Sequence, residues 1–272
     1  MSERIPEGWS LRQVKDIATV FAGGTPSRDK PYYFNGKNPW VKSGELNRRR
    51  IYSTEEHISD EAIKSSSARW VNKDSVLIAM YGATAGKVAR LKIDATINQA
   101  ISAVIGIDGL ADNGFLFHAL EQNSSSLLNT LQGSGQPNLS GTLIKHSELL
   151  VPPVLEQQKI AAILTSVDDV IEKTEAQINK FQDLKKGMMQ ELLTKGIGHT
   201  EFKDSPVGRI PKGWDVVPFG KWMDVKSGKG FKLAEYSKRG VKLLRIDNVS
   251  WGKVTWDSIA YLPYNYIKTY PQ

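Results

Sequence analysis

The chain has 272 residues and no cysteine, which excludes disulfides and thiolate metal sites and suits a reducing cytoplasmic setting. A hydrophobic content of 40% with mean hydropathy −0.35 supplies a core, but no apolar run approaches the ~20 residues a membrane-spanning helix needs. The net charge of +7 is uneven: residues 1–150 hold 17 basic and 15 acidic side chains, 151–195 hold 6 and 7, and 196–272 hold 13 and 7. Within the first part, Arg28, Lys30, Lys37, Lys42, Arg48, Arg49 and Arg50 face only Asp29 and Glu45 over the same span. Such clusters attract polyanions by counterion release, although a solvated surface needs no partner.

Taken in order, residues 9–21 alternate loosely and predict a strand with an extended lead-in. Gly23-Gly24-Thr25-Pro26 and Asn35-Gly36 predict turns. Pro39-Trp40-Val41-Lys42 predicts a short strand ending in Ser43-Gly44-Glu45-Leu46, and residues 60–65 a short helix with Ser59 as N-cap. Residues 75–81 predict a buried strand running into Gly82-Ala83-Thr84-Ala85-Gly86, and residues 87–90 and 100–105 predict further strands. Residues 114–131 have helical spacing at Phe115, Leu116, Ala119 and Leu120. A polar loop over 133–140 and a short helix then lead through Leu149-Leu150-Val151 to Pro152-Pro153.

From there a long helix is predicted, with Gly187 as its single interior glycine and Gly196 and Gly198 placed to cap its end. Ile160, Leu164, Val167, Ile171, Thr174, Ile178, Phe181, Lys185, Met188 and Leu192 are spaced alternately four and three apart. That is a coiled-coil seam, and most residues between its members are charged or amide-bearing. At ~1.5 Å per residue the helix is roughly 60 Å long, and its seam needs a partner helix.

The N-terminal Ile5-Pro6-Glu7-Gly8-Trp9 recurs as Ile210-Pro211-Lys212-Gly213-Trp214, and Trp40-Val41-Lys42-Ser43-Gly44-Glu45-Leu46 is echoed by Leu243-Leu244-Arg245-Ile246-Asp247-Asn248-Val249. This period is too long for a solenoid and predicts a duplicated domain, the second copy incomplete. The expected fold class is α+β: a mixed α/β domain over 1–151, a long coiled-coil-type spacer helix over 152–195, and a linker with a partial second copy over 196–272.

No self-contained active site emerges. His57, His118, His146 and His199 match no metal-ligand spacing, and His118 on an apolar helical face is expected to pack in the core. Gly228-Lys229-Gly230-Phe231-Lys232 lacks the spacing and hydroxyl of a phosphate loop, and Asp224-Val225-Lys226 is near chance as a nuclease fragment. Pro152-Pro153 is flanked by valines and is no amino-group cradle for methylation.

What remains suits nucleic acid. Lys42, Ser43, Glu45, Asn47, Arg48, Arg49 and Arg50 lie at a predicted strand end, where guanidinium groups hold phosphates or guanine edges. Tyr81, Thr84 and Lys87 border small residues that let backbone approach a phosphate. Asn98, Gln99, Gln136, Asn138 and Ser140 add amides and hydroxyls, amides being matched to adenine.

The order of these motifs resembles the specificity subunits of type I restriction-modification systems. The resemblance is carried by the two Ile-Pro-x-Gly-Trp motifs, Pro39 through Leu46, residues 74–82, Ile97-Asn98-Gln99-Ala100, residues 133–140, and Leu155-Glu156-Gln157-Gln158-Lys159-Ile160-Ala161 opening the long helix. It implies two target-recognition domains separated by helices that pair antiparallel, each domain reading half of a split double-stranded DNA site. It also implies a non-catalytic DNA-binding scaffold on which methyltransferase (M) and restriction/motor (R) subunits assemble for DNA methylation and restriction. S-adenosylmethionine, ATP and Mg are then expected on those partners, with no cofactor and no metal in this chain. The sequence departs from the family where the second recognition domain stops, so a half-length subunit and a piece of a longer one are both open. In either case Ile160, Leu164, Val167, Ile171, Ile178, Phe181, Met188 and Leu192 are expected to form a helix-pairing interface, as in an antiparallel homodimer. Alternative functions are the recognition part of a fused nuclease-methyltransferase and a non-specific DNA-binding assembly scaffold.

Overall fold

Val76-Leu77-Ile78-Ala79 is apolar at all four positions because both faces of that strand are covered. The computed structural model describes residues 5–129, 139–225 and 227–269. The chain divides into two units, Met1–Leu184 and Lys185–Gln272.

In the first unit, Ser10–Gln13 (β1), a helical turn Val14–Ile17 (α1) and Ala18–Ala22 (β2) replace the single strand predicted there. Val14 and Ile17, three apart, are both buried, and only a helical turn points such a pair the same way. The chain continues through 3-10 turns Pro31–Phe34 and Ser43–Asn47, which flank Asn38–Val41 (β3). Arg50–Ile51 (β4), Glu56–Ile58 (β5) and helix Asp60–Lys64 (α2) follow. Ser59 caps that helix as predicted, its hydroxyl accepting from the Ala62 amide at 3.2 Å. Trp70–Val71 (β6), Val76–Ala79 (β7), Val88–Leu91 (β8), Ala95–Ile97 (β9) and Ile101–Gly106 (β10) come next. Asn113–Asn129 (α3), Gly141–His146 (α4), Glu148–Val151 (β11) and Val154–Lys195 (α5) complete the series.

A five-stranded sheet in the order β2-β10-β7-β8-β4 lies at the centre, and a four-stranded sheet, β5-β3-β9-β6, stands beside it. The strand pleat sorts the core. Val76 and Ile78 face Phe115, Leu116 and Leu120 of α3, Ile144 of α4 and Ala161 of α5. Leu77 and Ala79 face the other way, with Val41, Ile97, Leu46 and Ile51. Each sheet face is therefore buried, and burying a side chain such as Leu77 contributes about 1.5–3 kcal/mol. Mixed strands and helices with one long helix agree with the expected α+β class.

The second unit repeats local motifs of the first. Phe202–Lys203 (β12) pairs with Ile210–Pro211 (β13), Val241–Leu243 (β14) with Ala260–Leu262 (β17), and Val249–Ser250 (β15) with Lys253–Val254 (β16). The antiparallel β14–β17 pair mirrors β3–β5, and in both pairs a 3-10 turn follows the first strand. The Lys42 amide donates to Glu45 Oε1 at 3.0 Å, and the Arg245 amide donates to Asn248 Oδ1 at 2.9 Å. The surroundings differ. Leu46 is 1% exposed against the central sheet, while Val249, its counterpart, is 54% exposed.

Candidate nucleic-acid interface

The register brings several strand ends to one edge of the first unit. β10 runs antiparallel to β2 and to β7, so its first residues meet the last of both. β3 and β9 run parallel and end together, with the Asn98 amide donating to Val41 O at 3.0 Å. Gly23 and Gly24 cross this junction extended, instead of forming the predicted turn, and donate to Ile101 O and Ile97 O at 3.0 and 2.9 Å. A Cβ on Gly23 would lie 2.1 Å from Ile97 O, so the approach requires glycine. Trp40 Nε1 donates to Gly24 O at 3.1 Å and ties the crossing to β3. The Met80 amide donates to Ala100 O, and the Leu139 amide to Met80 O, which brings Ser140 to the same edge. Lys42, Ser43, Tyr81, Thr84, Lys87, Asn98, Gln99 and Ser140 thus share one edge.

Their states differ. Gln99 and Lys87 are exposed, and Lys87 has no ion pair among the described residues. Asn98 Oδ1 accepts from the Ala100 amide at 3.1 Å and holds the turn that presents Gln99. Thr84 is buried, and its carbonyl accepts from the Lys87 amide. Ser140 caps α4 through the Leu143 amide at 3.1 Å. Lys42 Nζ pairs with Glu55 and Glu56 at 3.0 Å each, and its hydrogen bonds to Glu55 and then Glu56 hold its pKa above the usual lysine value. Glu45 is 4% exposed, and its carboxylate accepts from the Lys42 and Glu55 amides at 3.0 and 3.2 Å, so it braces this loop from within. Asn47 Nδ2 donates to Gly44 O at 3.1 Å. Gln136 and Asn138 lie outside the described residues.

The arginine triplet is divided. Arg48 is exposed and without an ion pair among the described residues. Arg49 and Arg50 stand at the far end of β8, because β4 pairs with it at Arg50↔Arg90 and Ile51↔Leu91. Both guanidinium groups turn onto helices. Arg49 bonds Glu121 of α3 at 2.8 and 2.5 Å and also pairs with Asp168 of α5. It lies 5.2 Å from the Phe117 ring centroid. Arg50 pairs with Asp169, bonds Glu172 at 3.0 Å and donates to Thr165 O at 3.4 Å. Burial alone would lower the Arg49 and Arg50 values, but their carboxylate partners outweigh it and raise both. Arg50 in turn holds the Asp169 carboxyl below its ordinary range. A cleft of about 500 Å³ between triplet and helix is lined by Arg48, Arg49, Arg50, Tyr52, Asp168 and Glu172, among others. His118, beside this cluster, is only half-buried, and its Nε2 has no hydrogen-bond partner among the described residues; burial holds its pKa below the usual histidine value.

Helix α5 is rooted by a residue that the sequence marked only as part of the segment 155–161, with no site role. Gln157 is 0% exposed; its Oε1 accepts from the Asp112 amide at 2.8 Å, and its Nε2 donates to Leu110 O and Pro152 O at 3.0 and 2.9 Å. It lies on the seam line three residues before Ile160, which was the available signal. Ile160 packs partly against the domain core, so it is not a free member of the seam. Leu164, Val167, Ile171, Ile178, Phe181, Met188 and Leu192 are all exposed, Phe181 by 68%. Among the described residues no cluster of His, Asp or Glu could hold a metal, and no helix is long and apolar enough to cross a membrane.

The family profile described as "Type I restriction modification DNA specificity domain" matches residues 6–181. The chain belongs to the type I restriction-modification specificity family. Among family members, the type I restriction enzyme MjaVIII specificity subunit of Methanocaldococcus jannaschii is 32% identical over 99% of this chain and 62% of its own length. The MjaIX specificity subunit of the same organism is 32% identical over 88% of this chain and 57% of its own length. The chain thus spans about 60% of these two specificity subunits. The fold also matches the crystal structure of a type I system S subunit from M. genitalium, with TM-score 0.52 and 16% identity over 88% of this chain and 59% of that one. The match over residues 6–181 takes in the strand-end edge, the arginine triplet and the N-terminal part of α5.

Proposed function

We propose that this chain reads base order in duplex DNA as the specificity component of a type I restriction-modification assembly and carries no chemistry of its own. One observation carries this: polar segments from four separate stretches of sequence meet at a single strand-end edge inside the family's DNA specificity region. Gln99 offers an amide to adenine, while Lys87 offers a cation to phosphate or guanine. In this reading residues 1–151 form the reading head, 152–195 the spacer and 196–272 a second copy of the head's first half. Methyltransferase and restriction/motor subunits bind the scaffold in the cytoplasm and supply S-adenosylmethionine, ATP and Mg chemistry. The exposed seam of α5 supports antiparallel pairing with a second copy.

The test is selection from a random duplex pool by the purified chain with its methyltransferase subunit. Enriched bases at fixed positions are expected. Salt-sensitive retention of every sequence alike would replace this reading with a charge-only binder, and methyl transfer or cleavage by the isolated chain would replace it with an enzyme.

A further inference from the structure

Helix α5 touches the rest of the first unit over a short length. Gln157 holds its root, and from Val170 to Leu184 every residue is exposed. Where this exposed run begins lies a second hold, in which Arg49 and Arg50 grip Asp168, Asp169 and Glu172 over slightly more than one helical turn. The two holds are about twelve residues apart, or ~18 Å at 1.5 Å per residue. The arginines begin from fixed backbone: the Arg90 amide donates to Arg49 O, and the Lys92 amide to Ile51 O, at 2.9 Å each. Arg50 has a side-chain exposure of 13%, so its guanidinium is largely enclosed by the helix it grips.

A rod held only at its root can pivot; held at a second point ~18 Å away, it has a direction. The distance from Gln157 to Leu184 is ~40 Å along the helix, so a pivot of about 10° would sweep that point by ~7 Å. That is about two base-pair steps of ~3.4 Å. We infer that Arg49 and Arg50 are positioning residues that latch the reading head to α5 and set the gap between the two base sequences a pair of heads can read, without contacting DNA themselves. The geometric part stands on the ion pairs alone, and the consequence for the gap rests on the DNA-reading role proposed above.

Because the chain has no cysteine, Lys37→Cys on the head and Lys180→Cys on the helix, diluted into excess unlabelled chain, give a single spin-label pair per assembly. Pulsed electron resonance then reads the head-to-helix distance with and without Asp168→Asn, Asp169→Asn and Glu172→Gln combined. A narrow distribution that broadens in the combined variant, and narrows again in the charge-swapped pair Arg50→Glu with Asp169→Arg, is expected. An unchanged distribution in folded protein, with circular dichroism as the control, overturns the latch whatever the chain binds. Pool selection with the same combined variant reads the gap. A shifted or blurred gap with unchanged enriched bases is expected. An unchanged gap with tighter, more salt-sensitive binding of every duplex would instead make the arginines phosphate ligands held back by α5, which overturns the inference while leaving the DNA-reading role intact.

Discussion

Gln157→Leu is the sharpest test of how the spacer is rooted. The substitution keeps the side chain's approximate volume and removes three hydrogen bonds at a position with no solvent access. The Asp112 amide then lacks its acceptor, and the carbonyls of Leu110 and Pro152 lose a donor. An unsatisfied buried donor costs about 1–3 kcal/mol, and each carbonyl about 1 kcal/mol. The apolar leucine offsets about 1 kcal/mol of this, leaving a net loss of ~2–4 kcal/mol. At a urea slope near ~2 kcal/mol/M, the unfolding midpoint falls by about 1–2 M. Amide exchange at Asp112 should accelerate by a matching factor. The exposed neighbour Gln158→Leu is the control and should stay within about 0.5 kcal/mol of the parent. If Gln157→Leu behaves like Gln158→Leu, the root is not held by this side chain and the reasoning fails.

Three further outcomes follow from other parts of the molecule. Gly23→Ala should destabilise by several kcal/mol, because its Cβ would meet Ile97 O at 2.1 Å, while Gly187→Ala in open space on α5 should stabilise by about 1 kcal/mol; thermal melts of the two compare them directly. Arg28, bonded at 2.8 Å, and then Lys42 hold the Glu56 carboxyl below the ordinary range. A depressed carboxyl stabilises the fold above its unfolded value of about 4.3 and loses that contribution as pH falls through the folded value. Glu56→Gln should therefore be less stable than the parent at neutral pH and equal to it in acid, and a constant difference across a pH series of urea melts would refute this. Phe181→Glu should leave the melting temperature within a few degrees yet abolish self-association in sedimentation at micromolar concentration, and a parent chain that is already monomeric there removes the pairing proposal.

The long helix was legible because its signals are local and redundant: Pro152-Pro153 before it, a seven-residue apolar rhythm within it, and Gly196 with φ +68° just past its end. The Ser59 cap and the doubly buried strand at Val76–Ala79 were legible for the same reason. The two- and three-residue strands at Arg50–Ile51, Trp70–Val71 and Ala95–Ile97 were not, since so short a segment has no periodicity and exists only through its partners. The polar loops named from sequence were partly sorted by the fold. Asn98 and Gln99 reach the strand-end edge because β9 runs straight into β10, whereas Arg49 and Arg50 leave it for carboxylates 72 to 122 residues away in the chain. Nothing in Arg48-Arg49-Arg50 distinguishes the exposed member from the paired ones, because the distinction lies in Glu121, Asp168, Asp169 and Glu172. Glu45 was grouped with the DNA-binding candidates from sequence, and only its burial reveals that its carboxylate braces the loop from within.

The central claim is that base order is read at the edge where Gln99 and Lys87 stand. Binding-site selection with Gln99→Ala beside the parent, each with the methyltransferase subunit, tests it most directly. The account predicts that the enriched sequence relaxes at one position while the others and the salt slope persist. The same enriched sequence from both proteins, or none from either, would contradict it.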